Sequence, residues 1–327
     1  MAFLVSLGEA MLRYSPPRSQ RLRAATSLNI HLCGAQFNVA ANLAFLGKST
    51  IFLSKLPENE LGQLARSAGM HCGIDMSYVR MVPDSRIGTV YVEFGAEPRA
   101  NIHFYDRKNS AASEISPADF PWKEILKDSQ LAYTDGIFPG LSQNCRETTL
   151  EFIRVAREVG ATVCFDMNYR AAIWTPEEAE HTYRQILPSV DILVTNHAVS
   201  QIVFGFHGSD EEVARRYPSE FGCSIVCITS REMIGNHRGR WKSLALDKNE
   251  FVYGRPFEFE VVDRFGTGDA FFSGFLYGYS ERNAQFALDF GNAFCALAHT
   301  VEGDVVPVSV HEVMALLDGP ANTHIRR

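Results

Sequence analysis

The sequence of 327 residues lacks any hydrophobic run near the length of about eighteen residues that a membrane-spanning helix requires. Its lysines and arginines are dispersed and its net charge is −7, which argues against nucleic acid and anionic membranes as partners. The seven cysteines are scattered, without neighbours at metal-site spacing. Reduced core thiols in a cytoplasmic protein explain this pattern, and the sequence assigns no metal ligand. A small molecule is therefore the expected partner.

Short apolar runs rich in β-branched residues recur along the chain, mostly separated by segments of helical periodicity. These runs are 3–7, 50–53, 130–134, 162–165, 191–194 and 224–229. Their alternation with helical segments predicts an α/β protein with a wound, largely parallel sheet. No internal repeat, low-complexity tract or long linker divides the chain, so we expect a single domain spanning 1–327.

Residues 86–106 follow a different pattern. The runs 89–94 and 101–105 flank a Gly-Ala-Glu-Pro turn, which predicts an antiparallel hairpin. A hairpin does not easily join a parallel core sheet. We therefore expect it to lie on a separate small sheet with part of 10–33, as a lid over a cleft.

The segment Gly266, Thr267, Gly268 and Asp269 precedes the apolar run 270–279, which predicts that the glycines lie at a helix N-terminus. Free amide groups and the helix dipole there favour a phosphate-like anion. Asp269 could accept the proton of an attacking hydroxyl while the amides hold a transferred phosphoryl group. Taken alone, a tight turn with Asp269 as a helix cap explains the segment better. The kinase hypothesis therefore needs further motifs.

Two longer strings supply them. Residues 263–276 resemble the C-terminal signature of the ribokinase-like (PfkB) carbohydrate kinases, and residues 32–40 resemble the N-terminal signature. Within that family, 105–111, 165–170 and 299–304 resemble segments of 2-keto-3-deoxygluconate kinases. The resemblance spans nearly the whole chain. It implies a ribokinase-like three-layer sandwich with a mostly parallel central sheet and a small β-sheet lid, and a homodimer through that lid.

The resemblance also implies a reaction and its residues. The reaction is ATP-dependent phosphorylation of a sugar acid, 2-keto-3-deoxygluconate, to its 6-phosphate. Catalysis is assigned to Gly266, Thr267, Gly268 and Asp269, and the sugar to Gly34, Asn38, Tyr91, Tyr105, Arg107, Arg170, Asp269 and Asp304. The nucleotide is assigned to Asn168, Asn196, Thr229, Arg231, Gly266, Gly268 and Asn292. Independently of the family, a substrate carboxylate calls for arginines, and Arg107 and Arg170 supply them.

Several of these residues have structural explanations as well. Gly34 could open a helix near Gln36, Tyr91 and Tyr105 could be ordinary cross-strand residues, and Asn292 could lie on a helix surface. Either arginine alone is more often an ion-pair residue than a ligand-binding one.

The chain also departs from the family pattern. Val199 stands where a metal-associated glutamate is usual, and 229–235 lacks two glycines of the usual nucleotide loop. Mg²⁺ would still arrive with ATP, and a monovalent cation beside Asp263 is left open. Two alternatives remain: a kinase for a neutral sugar or nucleoside, and a catalytically weak sugar-binding regulatory protein.

Overall fold

A computed structural model describes residues 1–17, 20–96, 98–235 and 237–319. Its strands are β1 Ala2–Leu7, β2 Met11–Ser15, β3 Asn29–Cys33, β4 Thr50–Leu53, β5 Lys55–Pro57, β6 Arg80–Val82, β7 Gly88–Glu93, β8 Ile102–Asp106, β9 Ser129–Asp135, β10 Thr162–Asp166, β11 Ile192–Asn196, β12 Ile225–Met233, β13 Arg238–Asp247, β14 Glu250–Tyr253 and β15 Phe257–Glu260. Its helices are α1 Ala35–Phe45, α2 Glu60–His71, α3 Trp122–Leu126, α4 Gln143–Val159, α5 Pro176–Ile186, α6 His197–Phe204, α7 Asp210–Phe221, α8 Thr267–Glu281, α9 Ala284–Ala298 and α10 Val310–Asp318.

The large sheet has the strand order β14-β13-β12-β11-β10-β9-β1-β4, with β15 also pairing with β13. The strands from β4 to β12 in that order run parallel, and β13 to β15 form an antiparallel edge. All six apolar runs that predicted strands form strands of the parallel part, which confirms the α/β prediction.

Helices cover both faces of this sheet. Neighbouring residues of β10 point into opposite cores: Cys164 belongs to the core that includes α1, α8 and α9, whereas Phe165 belongs to the core that includes α4, α5 and α7. Strands that are apolar on both faces belong in such a covered parallel sheet, which explains why these runs show no alternation. Among the described residues, no helix is long and apolar enough to cross a membrane.

The predicted hairpin lies on a separate four-stranded sheet of order β3-β2-β7-β8, which confirms that part of the fold prediction. Successive side chains alternate between its two faces. Val90 and Tyr105 face the large sheet across a cavity, and their neighbours Tyr91 and Phe104 lie on the outer face. The small sheet therefore presents one face to the cleft and the other outward.

Candidate active site

A cavity of about 770 Å³ lies between the two sheets. Its floor comes from residues at the carboxyl ends of parallel strands, among them Glu9, Asp166, Asn196 and Thr229. Its other wall comes from the inner face of the small sheet, including Tyr105. Wound sheets place ligands at this edge, so the position agrees with the general rule for the fold class.

The N-terminus of α8 opens into this cavity, as the glycine segment predicts. Gly266 is the N-cap residue with φ 70°, a left-handed conformation that favours glycine. A Cβ atom on Gly268 would meet nothing within 4 Å, so its backbone is open to a ligand. Gly266, Thr267, Gly268 and Asp269 all line the cavity. The first turn of α8 is therefore built to receive an anion.

Asp269 has the properties of a general base. Its carboxylate accepts a hydrogen bond of 2.7 Å from Asn38 Nδ2, and its side chain is buried at the edge of the cavity. Burial, together with the negative charges of Asp166 and Asp135, raises the pKa of Asp269 to about 7, although Asn38 and Arg170 act against this. A base that titrates near neutrality is well matched to proton transfer from a hydroxyl.

Asp135 and Asp166, at the ends of β9 and β10, complete a group of three carboxyls with Asp269. Burial raises the pKa of Asp166 to about 7 and that of Asp135 to about 6, and Asp135 adds to the shift of Asp166. Neither Asp135 nor Asp166 was predicted as a site residue from the sequence. The sequence does place a carboxylate at the end of each of two predicted strands. Because the carboxyl ends of parallel strands meet at one edge of the sheet, this pattern could have indicated the pair.

The two arginines expected at the sugar both line the cavity with Asp269, but their surroundings differ. Arg107 forms an ion pair with the buried carboxylate of Glu9 and lies over the ring of Tyr105. Arg170 donates to the carbonyl oxygens of Asn168 and Tyr169, and in the described part of the chain it has no carboxylate partner. The charge of Arg170 acts on Asp135, Asp166 and Asp269 without a direct ion pair, so its guanidinium can still bind a ligand carboxylate.

The remaining residues predicted at the sugar are Gly34, Asn38, Tyr91 and Asp304. Gly34 lines the cavity as the N-cap of α1 with φ 142°, and a Cβ there would lie 2.1 Å from the carbonyl oxygen of Glu9. Asn38 Oδ1 is buried without a hydrogen-bond partner among the described residues. Asp304 lines the cavity, whereas Tyr91 stacks between Tyr14 and Phe104 on the outer face.

The nucleotide end of the cavity differs from the usual glycine loop. Here β12 continues to Met233 and pairs with β13, so residues 229–233 form a hairpin arm. Thr229, Arg231 and Arg264 line the cavity. Burial and the nearby charge of Arg264 lower the pKa of Arg231, and neither arginine has a carboxylate partner among the described residues. Two unpaired cations beside the start of α8 favour a polyanion.

Three further predicted nucleotide residues occupy different places. Asn196 lines the cavity, caps α6 and accepts a hydrogen bond from Val199, whose own side chain is buried in the core. Asn168 lines the cavity and donates to Asp135 at 2.8 Å. Asn292 lies away from this cavity, where its amide bonds to Ser243 and to the carbonyl of Arg255. Within the described ranges, no three acidic, His or Cys side chains cluster as a metal site.

Residues 1–310 match the family model described as pfkB family carbohydrate kinase. The chain belongs to the pfkB family of carbohydrate kinases. Among pfkB relatives, it is 36% identical over 322 residues to a 2-dehydro-3-deoxygalactonokinase of Haloferax volcanii, with 97% of each chain covered. It is also similar to the crystal structure of a 2-dehydro-3-deoxygluconokinase from Thermotoga maritima, with a TM-score of 0.93, 32% identity and coverage of 98% and 99%.

A second solved structure shares the fold at lower identity. It is a putative ribokinase II from E. coli solved in complex with ATP and Mg²⁺, with a TM-score of 0.85, 20% identity and coverage of 97% and 99%. For this sugar kinase, the fold is therefore the ribokinase-like fold predicted from the sequence. The cavity brings a candidate base, an anion site and unpaired arginines together, which is what phosphoryl transfer to a sugar requires.

Proposed function

We propose that this carbohydrate kinase transfers the γ-phosphate of ATP to a hydroxyl of a 2-dehydro-3-deoxy sugar acid, giving the 6-phosphate of 2-keto-3-deoxygluconate or its galactonate epimer. The observation that carries the proposal is that Arg170, without a carboxylate partner in the described part of the chain, lines one cavity with Asp269. A sugar acid brings the carboxylate that this guanidinium lacks. The names of the two closely similar relatives point to the same substrate class.

In this proposal the sugar lies between Arg170 and Asp269. Asn38 holds Asp269 through its Nδ2 atom and offers the unpartnered Oδ1 atom to a sugar hydroxyl. Asp269 takes the proton from the attacking hydroxyl, and the amides of Gly266 to Gly268 stabilise the charge on the transferred group. Arg107 is already neutralised by Glu9, so it orients the sugar with less charge to offer.

The nucleotide lies at the other end of the cavity, where Arg231 and Arg264 receive its phosphates. The carboxylates of Asp166 and Asp210 line the cavity, and oxygen donors of this kind suit a hydrated Mg²⁺ that arrives with ATP. Val199 is buried and has no oxygen that could bind a metal ion, so Asp166 and Asp210 would hold the Mg²⁺. When bound, Mg²⁺ neutralises charge on the transferred phosphoryl group.

Two features of the whole protein belong to the proposal. The small sheet, formed by parts of 10–33 and 86–106, acts as a lid that covers the sugar and excludes water. Its outer face carries apolar side chains and pairs with the same face of a second copy.

A coupled assay of ADP release over a panel of substrates tests the proposal. We expect turnover with 2-keto-3-deoxygluconate or 2-keto-3-deoxygalactonate and little with fructose, ribose or nucleosides. Arg170→Gln should raise KM for the acid at least about tenfold, since it removes a charge-assisted bond, while leaving the weak rate with neutral sugars unchanged. Absence of ADP with every substrate, despite sugar-acid binding by calorimetry, would contradict the kinase assignment and favour a binding protein.

A further inference from the structure

Arg13 is a fully buried arginine on β2 of the small sheet. Its Nη2 atom lies 2.7 Å from Asp263 Oδ2, and its Nη1 atom lies 2.9 Å from Asp304 Oδ2. The rings of Phe94 and Phe265 flank the guanidinium, with centroids 5.8 and 5.2 Å from Cζ. The small sheet thus places a cation, flanked by aromatic rings, between two carboxylates that lie outside this sheet, near the start of α8.

Both acidic residues lie next to the candidate anion site. Asp263 precedes Gly266 by three residues and accepts a hydrogen bond from Phe265 N at 3.1 Å. Asp304 touches Gly266 itself, because a Cβ on Gly266 would lie only 2.0 Å from the carbonyl oxygen of Asp304. A shift of either acidic residue would therefore move the N-cap of α8.

The carboxylate of Asp263 already accepts three hydrogen bonds, one of them from a cation. Its Oδ1 atom accepts from Phe265 N, and its Oδ2 atom accepts from Arg13 and from Gly303 N at 3.1 Å. A pair of buried carboxylates needs a compensating positive charge, because removing a charged group from water without a partner strongly destabilises the folded state. Arg13 supplies that charge from within the chain, so a monovalent cation beside Asp263 would place a second positive charge next to the buried guanidinium.

We propose that Arg13 is an internal cation that positions the Asp263–Gly266 segment, so that the kinase works and folds without a bound monovalent cation. The catalytic part of this proposal rests on the proposed function, since it assumes phosphoryl transfer at the N-terminus of α8. Arg13 itself is a positioning residue. It acts on the anion site through Asp263 and Asp304, and it also ties the small sheet to that site.

The first test needs no variant. Steady-state rates of the full chain are measured with the sugar acid that gives ADP, in potassium chloride and in tetramethylammonium chloride at equal ionic strength. Melting temperatures are measured in the same two buffers. We expect kcat to agree within about twofold and the melting temperature to be unchanged, since K⁺ gains little binding free energy at a carboxylate that Arg13 already neutralises. A tenfold stimulation by K⁺, or a K⁺-specific rise in melting temperature, would overturn the proposal.

The second test removes the charge. Arg13→Gln should lower kcat at least about tenfold, and K⁺ or ethylguanidinium should restore part of the rate and raise the melting temperature of this variant but not of the wild type. Arg86→Gln is the control, because Arg86 lies beside the same sheet in an exposed pair with Asp106. Unchanged kcat in Arg13→Gln, or a loss that neither cation restores, would contradict the role.

Arg13→Lys keeps the positive charge and covers the case in which Arg13→Gln does not fold. It should fold and retain more of kcat than any folded neutral variant, and an Arg13→Lys protein without activity would count against the proposal. The melting measurements do not depend on turnover. A wild type that makes no ADP with any sugar therefore refutes the proposed function, whereas a K⁺-dependent melting temperature refutes the internal cation.

Discussion

At the scale of single residues, the proposed reaction depends on Asp269 as its general base. Asp269→Asn keeps the shape of the side chain and a hydrogen-bonding partner for Asn38, which donates to it at 2.7 Å. It removes the basic oxygen. We expect kcat to fall by a factor on the order of 10² or more while the Kd for the sugar changes little. Steady-state kinetics and calorimetry measure the two quantities, and an unchanged kcat would remove Asp269 from this role.

The charge of Asp166 contributes, after burial, to the raised pKa of the proposed base Asp269. Burial and the neighbouring carboxylates raise the pKa of Asp269 to about 7, and protonation removes its basic form. The rate constant kcat/KM should therefore fall as the pH drops below about 7. Asp166→Asn deletes one negative neighbour, which lowers the pKa of Asp269 and moves this acid limb to lower pH.

A pH profile of kcat/KM for the wild type and for Asp166→Asn tests this coupling. The exposed substitution Asp128→Asn serves as the matched control, because it removes a carboxylate far from the cavity and should leave the profile in place. An acid limb that moves to higher pH in Asp166→Asn, or that does not move, would show that the two carboxyls are not coupled as described.

How far single site residues could be predicted depends on whether a local motif identifies them. The glycines before Asp269 form such a motif, and the structure places them at a helix start as expected. Arg13 and Asp135 have no comparable motif. Arg13 meets Asp263 across 250 positions of sequence, so only the folded chain shows the pair.

At the scale of elements, α8, whose first turn forms the candidate anion site, packs closely on α9. Gly274 faces Gly291, and a Cβ on Gly274 would lie 2.8 Å from the Gly291 Cα atom. Gly274→Ala gains about 1 kcal/mol in helix propensity. We expect the steric cost to exceed that gain, giving a net loss of about 1–2 kcal/mol in the free energy of unfolding.

Urea unfolding of Gly274→Ala and of a matched Gly235→Ala variant measures the difference. Gly235 is exposed, and among the described residues an added Cβ there would have only Arg238 Cβ nearby, at 3.9 Å. That control should change stability by less than about 0.5 kcal/mol. A stabilised Gly274→Ala protein would show that helix propensity dominates and that the helices separate easily.

The parallel strands were predictable because each is a short apolar run buried on both faces. The antiparallel edge was not, since β13 to β15 mix exposed charges such as Arg238, Lys242 and Glu258 with buried rings. The missing glycines in 229–235 signalled a changed loop. They did not reveal that β12 continues into a hairpin arm, because that pairing depends on β13, whose contribution the sequence analysis did not recognise.

At the scale of the whole molecule, the outer face of the small sheet has no cover within the described chain. Four apolar side chains form one row in register across its strands: Ile30, Tyr14, Tyr91 and Phe104. Ile30 is 50% exposed and Phe104 is 51% exposed. A contiguous apolar row of this kind marks an interaction surface. A twofold axis would bring the row of one copy against the same row of another.

We therefore expect a homodimer in solution that Phe104→Glu converts to monomer. Burying a carboxylate in an apolar interface and losing an aromatic anchor should raise the dimer Kd at least about 30-fold. Light scattering coupled to size exclusion, run over a range of protein concentrations, measures the mass. Leu64→Glu is the control, because Leu64 is 43% exposed on α2 and lies outside the row. A wild type that stays monomeric at every concentration, or a Phe104→Glu protein with an unchanged dimer mass, would place the interface elsewhere.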